Sequence, residues 1–224
     1  MKKIVKALGG FLGLIVNTIK TPFRYKLDYL SSILKMQIIQ KPLPWMNYAV
    51  IDYIKKSAKE GARVFEYGSG QSTLFWLSIS AEIVSVEHDK EFYSKLSAQS
   101  LGSVNYLLIE PEFKAGGNHD PSSPDLFQSS DFKGYSFEKY VKAIDSFDDE
   151  FFDFLVIDGR ARPSCIKRCI TKIKSGGKLI LDNSDRDYYL SKTTKILEGW
   201  QKKIFRGTVR GLLHLEQTTV WIKP

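Results

Sequence analysis

Arg63-Val-Phe-Glu-Tyr-Gly-Ser-Gly-Gln-Ser-Thr-Leu-Phe-Trp-Leu77 decides the fold. Residues 63–67 form a short, largely apolar run that reads as a strand. Gly68-Ser69-Gly70 closes it, and Gln71 to Ile79 reads as a helix. Two glycines in three residues permit a tight turn and let a ligand approach the backbone closely. Ser72 or Thr73 can cap or line the start of the helix. Strand, glycine turn and helix in that order open a parallel α/β sheet.

The pattern continues outward from this unit. Ile83–Glu87, Val104–Ile109, Phe154–Ile157 and Lys178–Leu181 are short apolar runs rich in Val, Ile and Leu, as buried parallel strands are. Lys90–Gln99 and Pro163–Ile173 read as helices between them. The end of the chain differs, because Lys203–Val209 and Thr218–Ile222 are separated by a loop too short for a crossover helix. That pair is expected to be an antiparallel hairpin. The fold class is therefore α/β: a doubly wound, mostly parallel seven-stranded sheet with a C-terminal antiparallel hairpin and an N-terminal helical extension. Residues 1–61 form the extension and 62–224 the sheet domain. The stretch from Glu110 to Tyr135 mixes Gly, Asn, His, Pro, Ser and Asp. A loop of that length inside a compact domain is usually functional.

The 224 residues carry 43% hydrophobic and 26% charged side chains, ordinary for a globular protein, which argues against disorder, collagen and coiled coil. The net charge of +8 is unevenly placed. Residues 1–62 hold eleven Lys/Arg against Asp28, Asp52 and Glu60, while the rest of the chain holds 22 of each sign. A nucleic-acid-binding domain would more often carry its basic patch on the body, so nucleic acid is disfavoured as a partner. The two cysteines, Cys165 and Cys169, read as reduced, half-buried or core thiols, and argue for a reducing, cytoplasmic location.

Residues 1–26 contain six basic residues and no acid. Ile4, Leu8, Phe11, Ile15 and Ile19 recur at helical spacing, with Leu12 and Val16 beside them. Lys3, Lys6, Gly10, Gly13, Asn17 and Lys20 fall on the other side. The run from Ala7 to Val16 is too short to span a bilayer. Such a helix can lie on an anionic membrane surface, giving peripheral membrane contact, or pack on its own domain or on a second subunit. Oligomeric state is not legible.

Open α/β sheets bind ligands outside the carboxyl ends of their strands. Gly68–Gly70 follows the first strand. Glu87-His88 closes the second, about twenty residues past the glycine turn, where a carboxylate can accept both hydroxyls of a ribose. Asp158 follows the fourth strand and Asp182-Asn183 the fifth. If those strands are neighbours, the three side chains can converge as hard oxygen ligands for Mg²⁺ or Ca²⁺; otherwise they cap a helix and a turn. Arg160, Arg162 and Arg186 stand at the same edge and can form forks on an acidic substrate or pair internally. His119 and His214 are further candidates for a general base. Pro42-Leu-Pro-Trp-Met46 can close over a ligand or pack.

These residues carry a resemblance. Glu66-Tyr67-Gly68-Ser69-Gly70 resembles the first motif of class I S-adenosylmethionine-dependent methyltransferases, and Val86-Glu87-His88-Asp89 their second. Lys174-Ser-Gly-Gly-Lys-Leu-Ile-Leu181 is similar to the turn before their fifth strand, and the terminal hairpin matches their last two strands. The resemblance covers residues 62–224 and implies a Rossmann-like fold and S-adenosylmethionine as cofactor. It implies that Glu66 and the Gly68–Gly70 loop approach the methionine part, with Ser72 and Thr73 at the helix start. Glu87 would hold the ribose and His88 lie near the adenine edge. The Asp158, Asp182 and Asn183 set is similar to metal-dependent catechol-type O-methyltransferases. An NAD site fits less well, since no third glycine follows Gly70.

The expected function is thus S-adenosylmethionine-dependent methylation, with Asp158 as base or metal ligand. The expected acceptor is an oxygen of a small-molecule or glycan-type, acidic compound. The alternative is a catalytically degenerate, cofactor-binding interaction module. An RNA methyltransferase is disfavoured by the neutral body and by the lack of an Asn/Asp-Pro-Pro-aromatic motif after the fourth strand.

Overall fold

A computed structural model describes residues 2–35, 42–79, 81–99, 102, 104–114 and 116–224, with the backbone alone over 2–9 and at 11. The chain begins with helix α1 (Lys2–Lys20), a 3₁₀ turn (Phe23–Tyr25), α2 (Lys26–Ile33) and α3 (Tyr48–Ser57). Next come β1 (Arg63–Tyr67), α4 (Gln71–Ser78), β2 (Glu82–Glu87), α5 (Lys90–Ser97) and β3 (Asn105–Leu108). Among its described residues the long loop holds only β4 (Glu112–Phe113), paired with β5 (Tyr135–Ser136), and it leads into α6 (Glu138–Lys142). Then follow β6 (Phe152–Ile157), α7 (Arg162–Cys169), β7 (Ile173–Leu181), α8 (Asp187–Leu190), β8 (Gln201–Thr208) and β9 (Leu215–Ile222).

Seven strands form one sheet in the order β3-β2-β1-β6-β7-β9-β8. Neighbours from β3 to β7 are parallel, and β9 runs antiparallel to both β7 and β8. The expected class, parallel sheet plus terminal hairpin, is what the chain adopts. The expected turn at Lys174–Gly177 is instead part of a longer β7. Gly176 takes φ 72° there, and the pairing with β6 shifts register between Phe152 and Phe154.

Alternation along the central strands splits their side chains between two cores. Phe65, Tyr67, Leu155, Ile157, Leu179 and Leu181 pack against α6, α7 and α8. Val64, Phe154, Val156, Ile180 and Val220 pack against Tyr48, Ile51, Ile54, Phe75 and Trp76 on the other face, together with Tyr25 and Tyr29. Cys165 and Cys169 are buried, unbridged thiols in the first core, as expected.

The N-terminal helices sit against the hairpin. Asp28 takes a two-pronged ion pair from Arg210 and accepts from the Tyr48 hydroxyl at 2.7 Å. Side chains of Ile4, Leu8 and Phe11, part of the expected apolar face, lie outside the described residues. Among the described residues no helix is long and apolar enough to cross a membrane.

Candidate functional site

The carboxyl ends of β2, β1, β6 and β7 open into a cleft of about 500 Å³. The turns after β1 and β6 touch there. Gly68 has φ 92°, and a Cβ on it would stand 2.7 Å from the Gly159 backbone; a Cβ on Gly159 would meet the Tyr140 hydroxyl at 2.0 Å. Both must be glycine for the two strand ends to approach this closely.

Glu87 ends β2 on the cleft wall. Its Oε2 accepts from the Ser69 N–H (3.1 Å) and hydroxyl (2.8 Å), and its Oε1 from the N–H groups of His88 (2.7 Å) and Asp89 (2.8 Å). Burial pushes this carboxyl up. The donors from His88, Asp89 and Ser69 outweigh that, holding it below the ordinary range. The Ser69 hydroxyl also meets the Tyr106 hydroxyl at 2.6 Å, so it has a second partner when a ligand competes for Glu87. His88 lines the cleft too. Its Nδ1 lies 2.7 Å from Glu87 Oε1, its Nε2 accepts from Arg160 Nε at 3.3 Å, and its ring packs edge-on to Phe132. Asp89 caps α5 through the Phe92 N–H at 2.8 Å.

Glu66 does not reach the cleft. Val64 faces the core on the α3 and α4 side, and Glu66, two residues on, shares that face. It is fully buried. Its Oε2 accepts from Thr73 Oγ1 (2.5 Å) and from Ser85 Oγ (2.6 Å), the latter opposite it in register. Burial pushes its carboxyl up to about 7, against donors from Ser72, Ser85 and Thr73. Thr73 is buried as well; its hydroxyl accepts from the Gly70 N–H at 3.0 Å and ties the turn to Glu66. Glu66 and Thr73 therefore brace the glycine turn from behind, which corrects the expectation that they line the ligand site. Gly70 and Ser72 line a smaller adjoining cavity of about 280 Å³, with Trp45, Ser69, Phe92 and Asp158. Trp45 stands exposed at its rim, whereas Met46 is core.

The strands bearing Asp158 and Asp182 are neighbours, as expected, yet the side chains of Asp158, Asp182 and Asn183 are each engaged with other groups. Ala161 takes a left-handed φ of 47°, and α7 starts directly after it, with Arg162 buried at its first residue. Arg162 donates to the Gly159 carbonyl (3.0 Å), the Asp158 carbonyl (2.8 Å) and carboxylate (3.0 Å), and the Asp182 carbonyl. Asp182 turns its carboxyl to the Thr218 hydroxyl at 2.6 Å, and Asn183 turns its amide to Glu216 at 3.0 Å. Burial and the nearby Asp158 push Asp182 well above the carboxylate range, so it favours the neutral acid. Among the described residues no three His, Cys, Asp or Glu side chains form a set that could hold a metal ion. With the guanidinium of Arg162 on the Asp158 carboxylate, the Asp182 carboxyl on Thr218 and the Asn183 amide on Glu216, the expected Mg²⁺ or Ca²⁺ site does not fit these residues.

Asp158 itself remains available. Its side chain is 26% exposed, toward the two cavities it lines. Burial raises its carboxyl despite Arg162, with Glu216 adding to the rise. Of the three arginines, Arg162 is a wall element, which corrects its expected role on substrate. Arg160 lines the cleft but pairs with Asp131 at 2.6 Å and stacks over Phe132. Arg186 is exposed in the cleft, bonded to the Tyr189 hydroxyl at 3.1 Å and without a carboxylate partner among the described residues.

Sequence reasoning missed the far wall. Gln128 to Phe132 and Tyr188-Tyr189 line the cleft. Tyr188 is pulled below the phenol range, because hydrogen bonds with Ser130, Tyr189 and Arg186 outweigh burial. The loop-like composition of 110–135 was the only signal for the first group. His119 lines a different cavity, and His214 is exposed 3.3 Å from Glu216; neither lines the cleft.

No protein-family model and no curated protein matches the sequence. Solved structures do. An O-methyltransferase from Bacillus cereus in complex with SAH is 13% identical, with 77% of each chain covered and a TM-score of 0.52. A SAM-dependent O-methyltransferase from Thermotoga maritima is 16% identical over 87% of this chain and 71% of that one, also with a TM-score of 0.52. TrmN from Thermus thermophilus is 10% identical, with a TM-score of 0.50, over 77% of this chain and 47% of the other. At these identities the likeness is one of fold: the chain has the Rossmann-like fold of class I methyltransferases.

Proposed function

We propose that the protein is an S-adenosylmethionine-dependent methyltransferase acting on an oxygen of a small or glycan-type, acidic acceptor. The observation that carries this is Glu87, a carboxylate kept ionised on the cleft wall by His88, the Asp89 N–H and Ser69, beside a glycine turn that lets a ligand reach the main chain. A neighbour of the same fold binds SAH in its crystal structure. The cleft volume of about 500 Å³ suits a nucleoside-sized ligand. When bound, S-adenosylmethionine would supply an electrophilic methyl group on a sulfonium.

The chain's own residues would do the rest. Glu87 accepts from the ribose hydroxyls as the Ser69 hydroxyl swings to Tyr106. His88 and Phe92 flank the adenine side. Gly68 and Gly159 keep side chains out of the space at the two strand ends. Asp158, its carboxyl raised toward neutrality and lining both cavities, accepts the proton of the acceptor hydroxyl. Arg162 holds Asp158 in place. Arg186 attracts an acidic acceptor, and much of the rate comes from alignment.

Incubation with labelled S-adenosylmethionine and a panel of uronic acids, phosphosugars and phenols, with EDTA present, tests this. Label transfer to an acidic acceptor is expected. Tight cofactor binding with no transfer to any acceptor would instead favour a non-catalytic cofactor-binding module.

A further inference from the structure

An amphipathic surface helix ordinarily turns its apolar stripe toward the body it packs on. Over the turns of α1 whose side chains are described, the hydrogen-bonding anchors to the body are polar, with Leu14 the apolar contact. Asn17 is buried and its Nδ2 donates to the Leu213 carbonyl at 2.7 Å. Thr21, just past the helix, is buried with its hydroxyl 2.8 Å from that of Thr208. Leu14 packs on the core, and the other large apolar residues point away. Leu12 is 63% exposed and Ile19 70%, with Ile15 and Val16 exposed beside them; Phe23 is 90% exposed and Leu27 76%. Exposed Lys20 and Arg24 alternate with these, Arg24 paired with Asp52 of the body at 2.9 Å, and residues 1–26 contain no acid.

We propose that this face is a peripheral docking surface for anionic lipid bilayers, with α1 lying in the membrane plane. Six large apolar side chains open to water between Leu12 and Leu27 mark an interaction surface. The flanking cations select its partner. Apolar side chains can enter the acyl boundary while lysine and arginine meet anionic headgroups. A second copy of this face would instead bring like charges together. The inference does not depend on the methyltransferase reading.

Vesicle flotation with the full chain tests it. Binding to phosphatidylcholine vesicles containing phosphatidylglycerol is expected to exceed binding to phosphatidylcholine alone and to fall as salt rises. Lys20→Gln should weaken it about fivefold, the effect of one cation near an anionic surface. Ile19→Glu with Phe23→Glu should abolish it while the circular dichroism spectrum and thermal midpoint stay unchanged, since both side chains are exposed. No binding to the anionic vesicles at low salt would overturn the proposal. So would a wild-type dimer that the double variant splits while vesicle binding is absent, which would make the face a self-interface.

Discussion

Glu87 and Asp158 flank the same glycine turn, and burial pushes both carboxyls toward the neutral acid. Only one gives way. Glu87 has the His88 ring 2.7 Å from its Oε1, receives four hydrogen bonds from main-chain and hydroxyl donors, and stays below the ordinary range. Asp158 has one charged partner, Arg162, feels Glu216 nearby, and rises. The His88 ring, main-chain N–H groups and the Ser69 hydroxyl together hold the Glu87 carboxylate ionised with no arginine or lysine on it, which suits the recognition of neutral hydroxyls. A buried ion pair shared with other carboxyls leaves a group whose pKa is raised, which suits proton transfer.

The largest expected effect breaks the proton-transfer half. Asp158→Asn should lower turnover by about 10²–10⁴-fold, the usual share of a general base, while cofactor affinity holds. In the wild type, kcat/KM should fall as pH drops through the raised pKa of Asp158, because a base must be ionised to act. A pH profile flat on the acid side would remove it from that role.

Next is the ion pair. Arg162→Met strands Asp158 beside a buried Asp182, and urea denaturation should show a loss of about 3–5 kcal/mol. A variant as stable as the wild type would mean that the guanidinium does not hold the β6 and β7 ends together.

A third carboxyl sharpens the contrast. Glu66 has hydroxyl donors on one oxygen, none on Oε1 among the described residues, and burial raises it to about 7. A folded pKa raised above the ordinary 4.5 means its contribution to stability is fully present below that value and is lost as pH rises through about 7. Glu66→Gln has no proton to lose. Relative to it, the wild type should lose up to about 3 kcal/mol across that window, read from thermal midpoints at each pH. Parallel curves for the two proteins would show that Glu66 does not titrate there.

The same contrast shows what the sequence makes legible. Strands, glycine turn and hairpin were readable because short apolar runs and glycine pairs act locally. Glu87 was readable because it ends a strand at the interval a ribose-binding acid needs. The inward turn of Glu66 follows from period-two alternation with Val64, although a motif that places the acid beside the turn masks it. Arg162 was not readable: whether it meets substrate or seals the wall depends on the left-handed Ala161 and on the Asp182 carbonyl twenty residues away. The outward face of α1 was equally hidden, since periodicity shows that an apolar stripe exists and not which way it points. That direction is set by Asn17 reaching Leu213, far along the chain.

The central claim is that the Glu87 carboxylate holds the ribose of S-adenosylmethionine. Calorimetric titration of the cofactor into wild type and Glu87→Gln tests it most directly, with Ser69→Ala as the control. Glu87→Gln should lose about 1–3 kcal/mol of binding, as the loss of charged hydrogen bonds does. Ser69→Ala should change affinity by less than about threefold, because its hydroxyl yields to the ligand. Undiminished affinity in Glu87→Gln would contradict the account.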